Sequence, residues 1–323
     1  MNTTAVGNYP KIANRPDGQR LRRAIAQFDE AKVSAEELAR IEDEVTTEVL
    51  GEQIRAGLNL VTDGQIRWDD GQTYFARHIE GMELAGLIRY FDTNTYYRQP
   101  VAKGPLGWGG PITVRDYQFA SAHSSKPVKP VITGPYTLAK ISRSERHSTL
   151  RDFVLELAHV LCQEAHALEE AGASLVQIDE PAIVRNKGDW PLFQDAMKIL
   201  TQGLSIKMLL YTYFGDVTGL EGFFHLPFQG FGLDFVTGPS NFSLLKEFPQ
   251  DKELGLGIVD ARNVKLESGE EISKDIQRAL QHVSWERLYV NPSCGLDFLP
   301  REQAYAKLER MVEGARAVEK VRA

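Results

Sequence analysis

The stretch Leu175-Val-Gln-Ile-Asp-Glu-Pro-Ala-Ile183 decides how the rest of the chain is read. A β-type apolar run delivers two carboxylates, Asp179 and Glu180, and Pro181 then stops the strand. In a parallel α/β barrel the carboxyl ends of the strands form the floor of the active site. A charged pair placed there points at a ligand or at a partner charge. The structural alternative is an ion pair that closes the barrel mouth.

Seven further apolar runs flank this one: Thr4–Gly7, Leu60–Asp63, Lys129–Ile132, Lys207–Thr212, Leu233–Val236, Gly257–Asp260 and Arg287–Asn291. Segments of helical period separate them. Ser34, with Glu37 at capping-box spacing, opens one that continues through Ile54. Others span Thr113–Ser124, Thr149–Ala171, Trp190–Gly203 and Glu271–Val283. Strands alternating with helices predict a parallel sheet, and eight such units are what a closed (β/α)8 TIM barrel needs. The expected fold class is therefore α/β, with residues 1–323 forming one barrel domain. The stretch Ala85–Gly110 breaks the alternation with an aromatic, β-prone segment, Arg89-Tyr-Phe-Asp-Thr-Asn-Thr-Tyr-Tyr-Arg98, followed by a Gly/Pro loop. It predicts a β-hairpin from about Ile88 to Tyr97, inserted between barrel units two and three.

Composition narrows the partners. The net charge of −7 argues against nucleic acid or an anionic membrane as the main partner. The sequence has no apolar run long enough to span a bilayer and no visible secretory signal, so a cytoplasmic protein with a small-molecule substrate is expected. Cys162 and Cys294 make neither a disulfide framework nor a zinc knuckle. The glycine-rich Gly104–Gly110 does not sit between a strand and a helix, so it is no nucleotide fingerprint.

Polar groups recur at all eight candidate strand ends. They are Asn8, Asp63-Gly64-Gln65, Thr133-Gly134-Pro135, Asp179-Glu180, Thr212-Tyr213, Thr237-Gly238-Pro239, Asp260-Ala-Arg262-Asn263 and Asn291-Pro-Ser-Cys294. A purely structural barrel does not need them, so a ligand pocket is expected there. Asp179 is the candidate catalytic group. Asn8, Gln65, Glu180, Tyr211, Tyr213, Asp260, Arg262, Asn263 and Cys294 are the candidate substrate contacts. No metal ligand set is read. The seven histidines fall in helices or loops, and a single Cys294 thiolate makes a poor zinc site.

Four stretches carry a family resemblance: Val128-Lys-Pro-Val-Ile-Thr-Gly-Pro135, Val176-Gln-Ile-Asp-Glu-Pro-Ala182, Leu209–Val217 and Leu288–Gly295. With them the chain resembles cobalamin-independent methionine synthase, a family built from two related (β/α)8 barrels. Phe91-Asp-Thr-Asn-Thr-Tyr-Tyr97, Leu210-Tyr-Thr-Tyr-Phe214 and Gly257-Ile-Val-Asp-Ala-Arg-Asn263 look like segments of the N-terminal barrel type. The catalytic barrel's His-x-Cys zinc pair falls on Tyr211 and Tyr213, its glutamate ligand falls near Pro239, and only its last cysteine is matched, by Cys294. Its Gly-Glu motif is Gly64-Gln65 in this chain, while its amine-binding aspartate is kept as Asp179. The resemblance implies methyl transfer to a thiol such as homocysteine, in methionine biosynthesis. It further implies a barrel without tightly bound zinc that acts with a zinc-bearing methionine synthase-type partner. The methyl donor would be a methylated folate or a corrinoid protein. A self-sufficient methyltransferase or lyase-type enzyme with a changed substrate, and a non-catalytic structural paralogue, are the alternatives.

Overall fold

A computed structural model describes residues 1–15 and 17–322. Its strands are β1 (Asn2–Thr3), β2 (Ile79–Arg89), β3 (Tyr96–Trp108), β4 (Val131–Thr133), β5 (Arg143–Ser144), β6 (Leu175–Asp179), β7 (Lys207–Thr212), β8 (Gly230–Asp234), β9 (Glu253–Val259) and β10 (Leu288–Pro292). The helices are α1 (Arg20–Asp29), α2 (Ala35–Ala56), α3 (Gly71–His78), α4 (Val114–Ala122), α5 (Pro135–Lys140), α6 (Leu150–Glu170), α7 (Trp190–Leu200), α8 (Asn241–Leu244), α9 (Gly269–Ala279) and α10 (Arg301–Arg322). The order is the alternating α/β pattern the sequence predicts.

The chain divides into two compact units: Met1–Arg67 with Asp116–Lys129 and Gly232–Ala323, and Trp68–Arg115 with Pro130–Phe231. In the first unit β1 pairs parallel with β10, and β10 pairs parallel with β9. Parallel bridges Thr4–Leu60 and Val61–Val128 extend the array, so these strands begin as short contacts rather than long ladders. Helix α2 starts where the sequence places it, because the Ser34 hydroxyl accepts from the Glu37 N–H. It ends at Gly57, whose φ of 98° is a left-handed turn that glycine adopts without strain.

In the second unit β4, β6 and β7 pair in parallel, with Thr133 opposite Asp179 and Asp179 opposite Tyr211. All five residues of β6 are buried, and a 3-10 turn begins at Pro181. An antiparallel strand pair occupies the region of the expected hairpin and is far longer than the sequence suggests. Strand β2 pairs antiparallel with β3, and β3 pairs parallel with β5. The Gly/Pro stretch read as a loop lies mostly in β3, up to Trp108. A glycine of the facing strand lets the two approach: at Gly81 in β2 φ is 80° and a Cβ would stand 2.3 Å from the Pro105 carbonyl oxygen.

One carboxylate anchors the return from the hairpin. Glu164, fully buried on α6, accepts from Trp108 Nε1 at 2.9 Å and from the Ile112 and Thr113 N–H groups at 2.8 and 2.7 Å. It also accepts from Thr113 Oγ1 at 2.8 Å. Four donors on two oxygens offset the cost of burying the charge.

Candidate functional site

In the second unit the strand ends of β4, β6 and β7 bring Thr133, Asp179 and Tyr211 level. Asp179 is 8% exposed, and both of its oxygens are oriented. Gln177 Nε2 donates to Oδ1 at 2.6 Å and the Tyr213 hydroxyl donates to Oδ2 at 3.3 Å. Tyr213 is half-buried and Tyr211 is buried. Gln177, two residues back on the same face of β6, was not among the sequence candidates, although the period of two places it there.

Glu180 occupies a different place from its neighbour. It is fully buried, and it caps α5. Oε1 accepts from Tyr136 N–H at 2.9 Å, and Oε2 accepts from Thr137 N–H at 2.7 Å and Thr137 Oγ1 at 2.6 Å. Burial pushes its carboxyl up to about 8, against the pull of these donors. Its oxygens are spent on the start of a helix, so the structure gives Glu180 a supporting role where the sequence places a substrate contact. Gly134 is the counterpart: a Cβ there would stand 2.2 Å from Glu180 Oε1.

In the first unit a second polar cluster gathers. Asn8 lies beside Gly295, where a Cβ would come within 3.0 Å of the Asn8 Cβ, and the Leu296 N–H donates to the Asn8 carbonyl at 2.9 Å. Gln65 is buried with φ at 53°, and its N–H donates to Asp63 Oδ1 at 3.1 Å. Cys294 is buried, and burial holds its thiol well above the usual range, with Asp234 and Asp297 adding to the effect and Arg262 opposing it. Arg262 and Asn263 are exposed. The Arg262 N–H donates to Asp260 Oδ1 at 2.9 Å, and Lys265 N–H donates to Asn263 Oδ1 at 3.0 Å. Asp260 and Asn263 thus close two successive side-chain turns.

Two members of this cluster lie outside the sequence candidates. Asp234 ends β8 and accepts from the Val236 and Thr237 N–H groups, both at 2.9 Å. The charge of Lys11 acts on both Asp63 and Asp297. A basic residue following Gly7-Asn8-Tyr9-Pro10 was the available signal.

Burial and the neighbouring Asp116 raise the Asp63 carboxyl to about 7. A carboxyl raised in the fold binds a proton more tightly there than in the unfolded chain. Its contribution is fully present below the unfolded value near 4 and is lost as pH rises through about 7. The melting temperature of the wild type is therefore expected to fall between about pH 4 and pH 7, and Asp63→Asn should flatten that fall. Thermal denaturation across this range checks it. A constant offset between the two proteins at every pH would show that Asp63 does not titrate with folding.

Parallel strands, intervening helices and polar strand ends define the class, an α/β protein with the (β/α)8 barrel fold. A B12-independent methionine synthase from a Shewanella species, solved in complex with selenomethionine, has the same fold. Its TM-score is 0.85, at 22% identity, over 99% of this chain and 98% of that one. A putative vitamin-B12 independent methionine synthase from Listeria monocytogenes gives a TM-score of 0.78 at 19% identity, over 98% of each chain. Residues 67–284 match the family described as cobalamin-independent synthase, N-terminal domain. The methionine synthase of Saccharolobus solfataricus is 35% identical over 320 residues, covering 98% of this chain and 94% of that protein. That of Sulfurisphaera tokodaii is 33% identical over 318 residues, covering 98% and 92%. The chain belongs to the cobalamin-independent methionine synthase family. Methionine synthases are methyltransferases, so the chain belongs to a family of methyltransferases. Among the described residues no helix is long and apolar enough to cross a membrane.

Proposed function

We propose that this chain works as one barrel domain in methionine biosynthesis, supporting methyl transfer to a thiol such as homocysteine, with Asp179 receiving the amino acid's ammonium group. The observation that carries the reading is the Asp179 carboxylate at the end of β6, held by Gln177 and Tyr213 in one orientation. A carboxylate already oriented binds an ammonium group with little reorganisation. The relative solved with selenomethionine is consistent with an amino-acid ligand of this type.

The residues do not fit the zinc that the family's catalytic barrel carries. Tyr211 and Tyr213 stand where its His-x-Cys pair would be required, and a neutral tyrosine is a weak zinc ligand. Only Cys294 matches a ligand of that set, and one cysteine falls short of the three or more N, S or O ligands a zinc site needs. Among the described residues no group of three or more His, Cys, Asp or Glu could hold a metal ion. Thiol activation is therefore assigned to a zinc-bearing methionine synthase-type partner. The methyl donor is a methylated folate or a corrinoid protein, and assay with each in turn separates the two.

Calorimetric titration with L-homocysteine and L-methionine tests the Asp179 assignment. Both should bind, and the analogue of L-methionine without its amino group should bind at least tenfold more weakly, roughly the worth of a charged hydrogen bond. Equal affinity for the analogue would remove Asp179 as the ammonium site.

A further inference from the structure

The tip of the β2–β3 hairpin rests on the turn that follows β7. Tyr90 and Phe91 pack edge-on against each other at 4.6 Å and against Phe214 at 6.3 and 5.8 Å between ring centroids. Phe214 in turn meets the Tyr213 ring edge-on at 4.8 Å, and the Tyr213 hydroxyl reaches Asp179. A continuous path of ring contacts thus runs from the hairpin tip to the carboxylate.

Two features make this more than ordinary packing. Phe91 and Phe214 both have positive φ, 48° and 70°. Bulky residues rarely adopt that conformation, and here two that do touch each other. The tip is also pinned. Arg185 Nη2 pairs with Asp92 Oδ2 at 3.0 Å, and its guanidinium lies over the Phe91 ring at 5.7 Å. Within the turn, Thr93 Oγ1 donates to the Tyr90 carbonyl at 2.6 Å and Arg89 Nη2 donates to the Asp92 carbonyl at 3.2 Å. The tip is a preformed turn held by side chains of its own and by Arg185.

We infer that the hairpin tip is a clasp, with Phe91 and Phe214 as positioning residues that set Tyr213, and through it Asp179, for an amino-acid ligand. The inference rests on the assignment of Asp179 as the ammonium site. The Tyr213–Asp179 hydrogen bond is long at 3.3 Å, so its strength depends on where the Tyr213 ring is held. Phe214 holds one edge of that ring, and Phe91 holds Phe214. The tip adds no atom to the ligand's ammonium contact and acts through the carboxylate's orientation.

The test uses Phe91→Gly, which accepts the positive φ and deletes the ring, and Phe91→Tyr, which restores a ring. Arg185→Ala, at an exposed residue, unpins the tip by a second route. Phe91→Gly and Arg185→Ala should each weaken L-methionine binding, Phe91→Gly by about tenfold, with the melting temperature unchanged and affinity recovered in Phe91→Tyr. Amide hydrogen exchange should rise in both variants at residues 88–97 and also at residues 211–217. Unchanged affinity in Phe91→Gly, with exchange rising only at residues 88–97, would overturn the clasp and leave the Asp179 assignment standing. If wild type binds no L-methionine, the Asp179 assignment fails, and exchange at residues 211–217 alone decides whether the clasp exists.

Discussion

Glu180→Ala is expected to lower stability by about 3–5 kcal/mol, from buried donors left without an acceptor and from the cavity left behind. The loss follows from what stays behind. The N–H groups of Tyr136 and Thr137 and the Thr137 hydroxyl would remain buried at the start of α5 without their acceptor. Each such orphan costs about 1–3 kcal/mol, and the cavity left by the side chain adds to it. Urea unfolding should show a much lower midpoint. L-methionine affinity, measured on the fraction that remains folded, should be nearly unchanged. A Glu180→Ala protein that is as stable as wild type but binds no ligand would reverse the roles of the two adjacent carboxylates.

Asp179→Asn should do the opposite. The amide is isosteric and can still accept from Gln177, so the fold should hold. The ligand's ammonium group loses its ionised partner. Hydrogen bonds to charged groups contribute about 1.5–3 kcal/mol, which is on the order of a 10- to 150-fold loss in affinity for L-methionine. The amino-group-free analogue should bind the variant about as weakly as it binds wild type. A melting temperature that falls while affinity stays constant would make Asp179 a structural residue.

The contrast between these neighbours is open to sequence reasoning. Successive strand residues point to opposite faces, so Asp179 and Glu180 do not both face one pocket, although both stand among the sequence candidates. What the sequence does disclose is β6, because an apolar run closed by Pro181 permits few other readings. It discloses the start of α2 for the same reason, a local cap that needs no distant partner. Strands β8 and β9 both begin earlier than their most apolar stretches suggest, at Gly230 and Glu253. The apolar run of β8 continues through Phe235 and Val236, while the strand stops at Asp234, whose carboxylate closes the turn beyond it. Composition does not reveal that stop. The length of the hairpin is hidden because its glycines, which mark loops in sequence, here allow two strands to approach closely at Gly81 and Pro105. The contact of Phe91 with Phe214 joins residues far apart in the chain, and no local pattern announces it.

If this barrel takes part in methyl transfer but leaves thiol activation to a zinc-bearing partner, methionine formation from L-homocysteine should depend on both proteins. The decisive assay supplies a methylated folate and, separately, a methylated corrinoid protein. The purified, metal-analysed chain is assayed alone and then together with a zinc-bearing methionine synthase-type barrel. The expected result is no methionine from the chain alone and methionine from the pair, at a rate above that of the zinc-bearing barrel by itself. Methionine formed by this chain alone, in step with tightly bound zinc that is lost on Cys294→Ser, would contradict the division of labour proposed for the two barrels.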